Sequence, residues 1–130
     1  MSVTLFALAI NDIVSQVSGD VCKSLYVDDL AIYYSSANIN TIQRKLQIAI
    51  NKIHQWTFSR GFGISQEKTV AIHFHNKRGI QQEPLLLLSG NNIQFKPSTK
   101  FLGLVFDQKL SWDAHIKALK TKCLNALSLL

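Results

Sequence analysis

From Val3 to Val17 the apolar positions 3, 5, 6, 8, 10, 13, 14 and 17 cover most of a helical wheel, leaving a narrow polar strip of Asn11, Asp12, Ser15 and Gln16. That pattern predicts a mostly buried helix. Only Ser2 is available to cap it, and no earlier segment could cover so apolar a surface, so the chain reads as truncated at its start. Val21 to Tyr26 and Leu30 to Tyr34 are short β-branched and aromatic runs separated by Val27-Asp28-Asp29. They predict a hairpin with the aspartates at its tip. Asn38 or Asn40 can cap a helix whose stripe is Ile42, Leu46, Ala49, Ile50, Ile53 and Trp56, with Arg60 and Gly61 as its C-terminal signals. Thr69 to Phe74 alternates as a half-buried strand, and residues 75 to 84 form a polar loop. Leu85 to Leu88 and Asn92 to Phe95, joined by Ser89-Gly90-Asn91, predict a second hairpin. Lys100 to Phe106 reads as a further strand. Ser111 can cap a last helix with Ile116, Leu119, Cys123, Leu127 and Leu130 on one side, which runs off the chain uncapped. Without repeats, low-complexity tracts or a linker, the prediction is one α+β unit cut at both ends.

Composition narrows the class. A chain of 130 residues that is 47% apolar and 17% charged can bury one core, which excludes disorder. The net charge of +6 favours a polyanionic partner, and it is unevenly placed. Residues 1 to 60 hold five basic and four acidic side chains, against nine and four in residues 61 to 130. Cys22 and Cys123 stand far apart with no CxxC pair or Cys/His cluster, which excludes a disulfide framework and a structural zinc site and fits a reducing compartment. Ala7-Leu8-Ala9 lies inside the apolar run and no basic region precedes it, unlike a signal peptide. No run reaches the roughly 18 to 20 apolar residues of a membrane span. The sequence therefore predicts a soluble intracellular protein of cytoplasm or nucleus with no membrane partner.

Tyr26-Val27-Asp28-Asp29 is the most informative tetrapeptide. Adjacent carboxylates each raise the cost of ionising the other, and a divalent cation removes that cost. Mg²⁺ typically takes one or two protein carboxylates and completes its shell from water and substrate phosphates, so an exposed aspartate pair suits phosphoryl transfer. A merely solvated acidic turn is the bland alternative.

Tyr26-Val27-Asp28-Asp29-Leu30 resembles the catalytic hairpin of reverse transcriptases, in particular the non-long-terminal-repeat, jockey-like retrotransposon branch. Ser2-Val3-Thr4-Leu5-Phe6 with Ala9-Ile10-Asn11-Asp12-Ile13 is similar to the segment after the family's glutamine-glycine motif. Gly61 to Thr69 resembles the next palm motif, with Ser65 where the family usually has Asn and with the Lys68-Thr69 pair retained. Lys100 to Asp107, then Leu110-Ser111-Trp112 and His115-Ile116, looks like the primer-gripping strand and the start of the thumb. Four blocks in family order cover nearly the whole chain.

The resemblance implies a partial polymerase palm over residues 1–110, an antiparallel sheet with helices packed on one face, and the start of a thumb helix over 111–130. It implies that Asp28 and Asp29 bind the catalytic Mg²⁺, one of two ions in the complete enzyme, and that Tyr26 and Val27 lie against primer or nucleotide. Lys68 would protonate or neutralise the leaving pyrophosphate, although a solvated loop lysine is the plain alternative. Phe101, Leu102 and Gly103 would approach the primer terminus, a place where a glycine is useful, or simply pack as a strand. Lys117, Lys120 and Lys122 would face duplex phosphates or remain a bland charged face. His73 and His75 could chelate a metal only with a third ligand, which is not visible nearby. Trp56 and Trp112 read as core or interface anchors before base-stacking platforms.

The implied partners are an RNA template, a DNA primer, deoxynucleoside triphosphates, and the rest of the polymerase, its fingers and first palm strand. The family's two-metal site also needs a third aspartate from upstream of the glutamine-glycine motif, which this chain does not contain. Asp12, Asp20 and the later acidic residues do not occupy an equivalent place. The expectation is thus a reverse transcriptase fragment, transferring nucleotides to a primer 3′-hydroxyl only when the missing part is present. A degenerate relic that binds nucleic acid without catalysis is the second reading. An unrelated acidic-turn interaction domain is the third.

Overall fold

The computed structural model of the chain describes residues 10–79 and 81–128. In chain order, a 3₁₀ segment (Asp12–Gln16) leads to β1 (Cys22–Tyr26), β2 (Asp29–Tyr33), α1 (Ile39–Ser59) and β3 (Val70–Ala71). Then come β4 (Leu87–Leu88), β5 (Asn91–Asn92), β6 (Gln94–Phe95), β7 (Ser98–Phe101), β8 (Leu104–Asp107) and α2 (Asp113–Ser128). The chain divides into two compact units, one of Met1–Thr69 with Pro84–Ile93 and the other of Val70–Glu83 with Gln94–Leu130.

The first unit is organised by α1. Asn38 supplies its N-cap, the side-chain oxygen accepting the Asn40 N–H at 2.9 Å. Its far end closes as a Schellman motif: the Phe62 N–H donates to the Thr57 carbonyl at 2.8 Å and the Gly61 N–H to that of Phe58 at 3.3 Å. Gly61 takes the left-handed conformation this requires, with φ +75°. Phe62 then folds back on Trp56, ring centroids 5.9 Å apart and nearly parallel. The buried stripe is Ala49, Ile53 and Trp56, and it meets Ile13, Val17 and Val21 in one core cluster. Leu25, Leu30 and Ile32 of the β1–β2 hairpin pack against the same cluster.

The expected first helix is α-helical at Ile10 and Asn11 and tightens to 3₁₀ over Asp12–Gln16, while Val3–Ala9 lie outside the described residues. The Ser15 hydroxyl donates to the Asp12 carbonyl at 2.6 Å and the Val17 N–H reaches Val14, so local bonds tighten the backbone. Burial still follows the pattern, because Ile13 and Val17 are each only 3% exposed. Leu85 to Leu88 is fixed by side chains of α1. Gln43 accepts the Leu85 N–H at 3.0 Å, and Gln47 both accepts the Leu87 N–H at 2.8 Å and donates to its carbonyl at 2.9 Å. A helix face thereby serves this short strand as a neighbouring strand would.

In the second unit β3 pairs in parallel with β6, and β7 pairs antiparallel with β8. Several expectations change here. The Thr69–Phe74 strand shrinks to Val70–Ala71, because beyond Ala71 the backbone leaves β6 and His75 donates instead to the Gln108 carbonyl at 3.0 Å. In the first unit the second predicted hairpin closes on Ser89-Gly90, pairs Leu87–Leu88 with Asn91–Asn92 and adds a bond from the Ile93 N–H to the Leu86 carbonyl at 2.8 Å, after which Gln94–Phe95 pairs with β3. Lys100–Phe106 is two strands joined at Leu102-Gly103. The single antiparallel sheet resolves into four separate two-stranded pairs among the described residues, one of them parallel. Each pairing spans two to five residues. The mixed α+β class holds.

At the start of α2 the Trp112 carbonyl accepts the Ile116 N–H at 2.9 Å, and the Ser111 hydroxyl oxygen accepts the Asp113 N–H at 3.4 Å, the capping bond expected of that serine. No described residue of α2 is buried, so the one-sided packing expected of Ile116, Leu119, Cys123 and Leu127 is not realised among the described residues. Leu130 lies outside the described residues. Among the described residues no helix is long and apolar enough to cross a membrane.

Candidate active site

The β1–β2 ladder runs from Cys22 opposite Tyr33 to Tyr26 opposite Asp29, leaving Val27-Asp28 as a two-residue turn. Side chains alternate across a hairpin, so Lys23 and Leu25, with Ile32 and Leu30 opposite, face the core. Lys23 reaches under the strand to donate to the Val17 carbonyl at 2.8 Å. Tyr26 and Asp29 therefore share the outer face, where Tyr26 is 63% exposed. Asp28 projects from the turn itself. The expected tip holds for Asp28, while Asp29 opens β2.

Val27 has φ +55°. A positive φ at the first central residue of a two-residue hairpin is where glycine is the usual choice, and a β-branched residue there stores strain. Such strain is on the order of 1–3 kcal/mol and clusters at functional turns. The core anchors on both strands hold it in place. Neither the Asp28 nor the Asp29 carboxylate accepts a hydrogen bond or pairs with a cation among the described residues, and both residues are exposed. Two adjacent, solvent-facing carboxylates with no protein partner suit a hard divalent cation as a partial oxygen site. Among the described residues no cluster of three or more His, Cys, Asp or Glu completes a metal shell.

Lys68 lies in the same unit, on a turn where Ser65 accepts the Thr69 N–H at 3.0 Å and the Thr69 hydroxyl at 2.6 Å. It is exposed, and no bond joins its side chain to either aspartate. In the second unit Leu102 and Gly103 have φ +49° and +81° and form the β7–β8 turn. A Cβ on Gly103 would meet no atom of the chain within 4 Å, so within the chain the glycine serves the backbone angle, and the space beside it is open. Phe101 is half-buried. Lys117 and Lys120 fall on neighbouring positions of α2, whereas Lys122 lies well round the helix from both. All three are exposed.

The family model described as reverse transcriptase (RNA-dependent DNA polymerase) matches residues 1–106. The chain belongs to the reverse transcriptase family. It is 31% identical over 107 residues to the RNA-directed DNA polymerase from mobile element jockey of Drosophila melanogaster, covering 79% of this chain and 12% of that protein. It is also 28% identical over 98 residues to the probable RNA-directed DNA polymerase from transposon BS of the same fly, covering 75% and 11% respectively. The Pol polyprotein from type-1 retrotransposable element R1 of Nasonia vitripennis is 24% identical over 106 residues, 78% of this chain and 32% of that protein. The chain thus spans about an eighth of the length of its jockey and BS relatives. No solved structure matches it. The resemblance to non-long-terminal-repeat retrotransposon enzymes read from the motifs is borne out.

Within this reverse transcriptase chain the first unit brings together Tyr26, Val27, Asp28 and Asp29 on one hairpin end. Trp56 is a core residue, with Arg60 stacked 5.5 Å from its ring centre. Trp112 instead packs at the surface, on Phe106 at 5.3 Å. The motif reading missed Asp107. Its carboxylate accepts the N–H groups of Lys109, Ser111 and Trp112 at 2.9, 3.0 and 3.1 Å and the Ser111 hydroxyl at 2.8 Å. Those bonds, from the Ser111 backbone first, lower its pKa below the usual carboxylate value. They hold together a turn in which both Leu110 and Trp112 have positive φ. An aspartate followed four residues later by serine before a helix was the available signal.

Proposed function

We propose that this chain is part of the palm of a retrotransposon RNA-directed DNA polymerase, residues 1–110, with the start of its thumb helix in 111–130. Its reaction is transfer of a deoxynucleotide to a primer 3′-hydroxyl, the 3′ oxygen bonding to the α-phosphorus as the bond to pyrophosphate breaks. The observation that carries this reading is the strained hairpin end with two unpartnered, adjacent carboxylates, in a chain of this family. Asp28 and Asp29 would hold Mg²⁺, which would supply charge that favours an ionised 3′-hydroxyl and offsets the negative charge on departing pyrophosphate. Tyr26 and Val27 lie against primer or nucleotide. Lys68 neutralises or protonates the departing pyrophosphate. Phe101, Leu102 and Gly103 meet the primer, and Lys117, Lys120 and Lys122 meet backbone phosphates without reading sequence. Template RNA, primer DNA and deoxynucleoside triphosphates are the partners, in the cytoplasm or nucleus.

A third carboxylate is required for the two-ion centre, and the described residues do not place one beside the pair. In this reading the fingers and first palm strand of the polymerase supply it. Primer extension by the intact polymerase polypeptide carrying Asp28→Asn and Asp29→Asn tests the assignment; retained activity would sink it. The same missing ligand favours a second reading, a non-catalytic relic that only binds nucleic acid. That reading predicts salt-sensitive binding to primer-template and no incorporation even when the rest of the polymerase is supplied.

A further inference from the structure

The second unit contains a cleft of about 450 Å³ whose walls include His73, His75, Lys77, Arg78, Glu83 and Lys109. Three of these are cations and one is an acid. Lys77, Arg78 and Lys109 make no ion pair among the described residues. The floor is held by backbone: His75 donates to the Gln108 carbonyl at 3.0 Å, and Gln108 to that of Pro97 at 3.1 Å. His73 and His75, two residues apart and so on one side of an extended segment, sit with ring centroids 5.2 Å apart. Phe74 is the residue turned outward, 45% exposed.

Hydrogen bonding settles what the two rings can offer. The His75 Nδ1 lies 3.2 Å from the Lys77 carbonyl, which can only accept, so that nitrogen carries a proton. The His73 Nδ1 is buried without a partner, and a buried unpaired N–H is the costlier arrangement. The proton of a neutral His73 is therefore assigned to Nε2, which makes that atom a donor. A cation would meet one free imidazole lone pair and the Glu83 carboxylate against three positive side chains, with no group of three metal ligands among the described residues. An anion would meet a donor ring and three cations against the single carboxylate of Glu83.

We propose that this cleft is a phosphate-binding site that takes a backbone phosphodiester of a nucleic-acid strand, with Lys77, Arg78 and Lys109 as its charges and His73 as a hydrogen-bond donor. The preference for phosphate rests on the cleft. The choice of a nucleic-acid strand as its source rests on the polymerase reading.

The test uses the full chain and a fluorescent single-stranded oligonucleotide, with anisotropy followed across a salt series. Arg78→Gln with Lys109→Gln is expected to weaken binding at least tenfold at low salt. It should also reduce the slope of log K against log salt by about 1.4, the loss of two phosphate contacts on a single strand. Arg44→Gln with Lys52→Gln, the same charge change on the exposed part of α1, should move the slope by less than half of that. Equal effects of the two pairs would overturn the site in favour of general charge. In parallel, the ring signals of His73 and His75 are followed by NMR. They should shift with oligonucleotide at concentrations where inorganic phosphate leaves them unmoved. An equal response to inorganic phosphate would overturn the strand assignment, and a response to Zn²⁺ alone would overturn the anion assignment. Oligonucleotide binding that leaves the rings and both arginine-lysine pairs silent refutes the cleft while the polymerase reading, tested by primer extension, stands.

Discussion

Ile53 is the most direct handle on how the core supports the hairpin that carries the aspartates. It is 7% exposed, on the buried stripe of α1, in the same cluster that anchors Leu25, Leu30 and Ile32. Ile53→Ala removes three carbons, worth about 0.8 kcal/mol each in lost burial. Incomplete collapse around the gap adds a cavity cost, giving about 3 kcal/mol within the ~2–5 kcal/mol seen for such truncations. Ile53→Val removes one carbon and should cost about 1 kcal/mol. Ile48→Ala, on the same helix but 45% exposed, should change stability by less than about 0.5 kcal/mol, since alanine's helix propensity offsets the little burial lost. Urea unfolding followed by the fluorescence of Trp56 in a Trp112→Phe background gives all three, with an unchanged m-value expected. A loss below about 1 kcal/mol for Ile53→Ala, or equal losses at 53 and 48, would refute the claim that α1 packs this face into the core.

Other features give further expectations. Gly61→Ala should cost about 1 kcal/mol in the same assay, entirely from its left-handed φ, because a Cβ there meets no atom within 4 Å. Asp20 is held at a pKa of about 2 instead of the usual 3.8, first by the hydrogen bond from Lys45 and then by the Ser18 hydroxyl. A lowered carboxylate stabilises the fold above its unfolded value, so this contribution is present above about pH 4 and is lost as the pH falls towards 2. Melting temperature should decline across that window, and less steeply in Asp20→Asn; because the pair is solvent-exposed the difference should be small. Asp107→Ala should release the turn before α2, seen as faster hydrogen exchange at the Lys109, Ser111 and Trp112 amides. Unchanged exchange there would mean that the positive-φ turn holds itself.

Where local chemistry and burial agree, the elements were legible in the sequence. Helix α1 is an example: Asn38, the apolar stripe and Gly61 mark its start, buried face and end within a few bonds of the chain. The first hairpin and the aspartates at its end were equally visible, because alternation and turn composition are properties of adjacent residues. Family membership was legible for another reason, the order of four motifs along the chain. None of these needs a distant partner.

Tertiary structure decided the rest. Whether Thr69 to Phe74 continues as a strand depends on what lies beside it, and its neighbour β6 stays for only two residues. The inward turn of His73 and His75, and the cleft they share with Lys109, required a segment more than thirty residues further on. Gln43 and Gln47 read as ordinary polar helix positions until the backbone of Leu85 and Leu87 arrived to use them. Val27 shows both influences at once: the sequence places it in a turn, and only the packed strands on either side hold a β-branched residue at positive φ. Backbone hydrogen bonds must be satisfied somewhere, and a single chain read in order does not say which remote group will satisfy them.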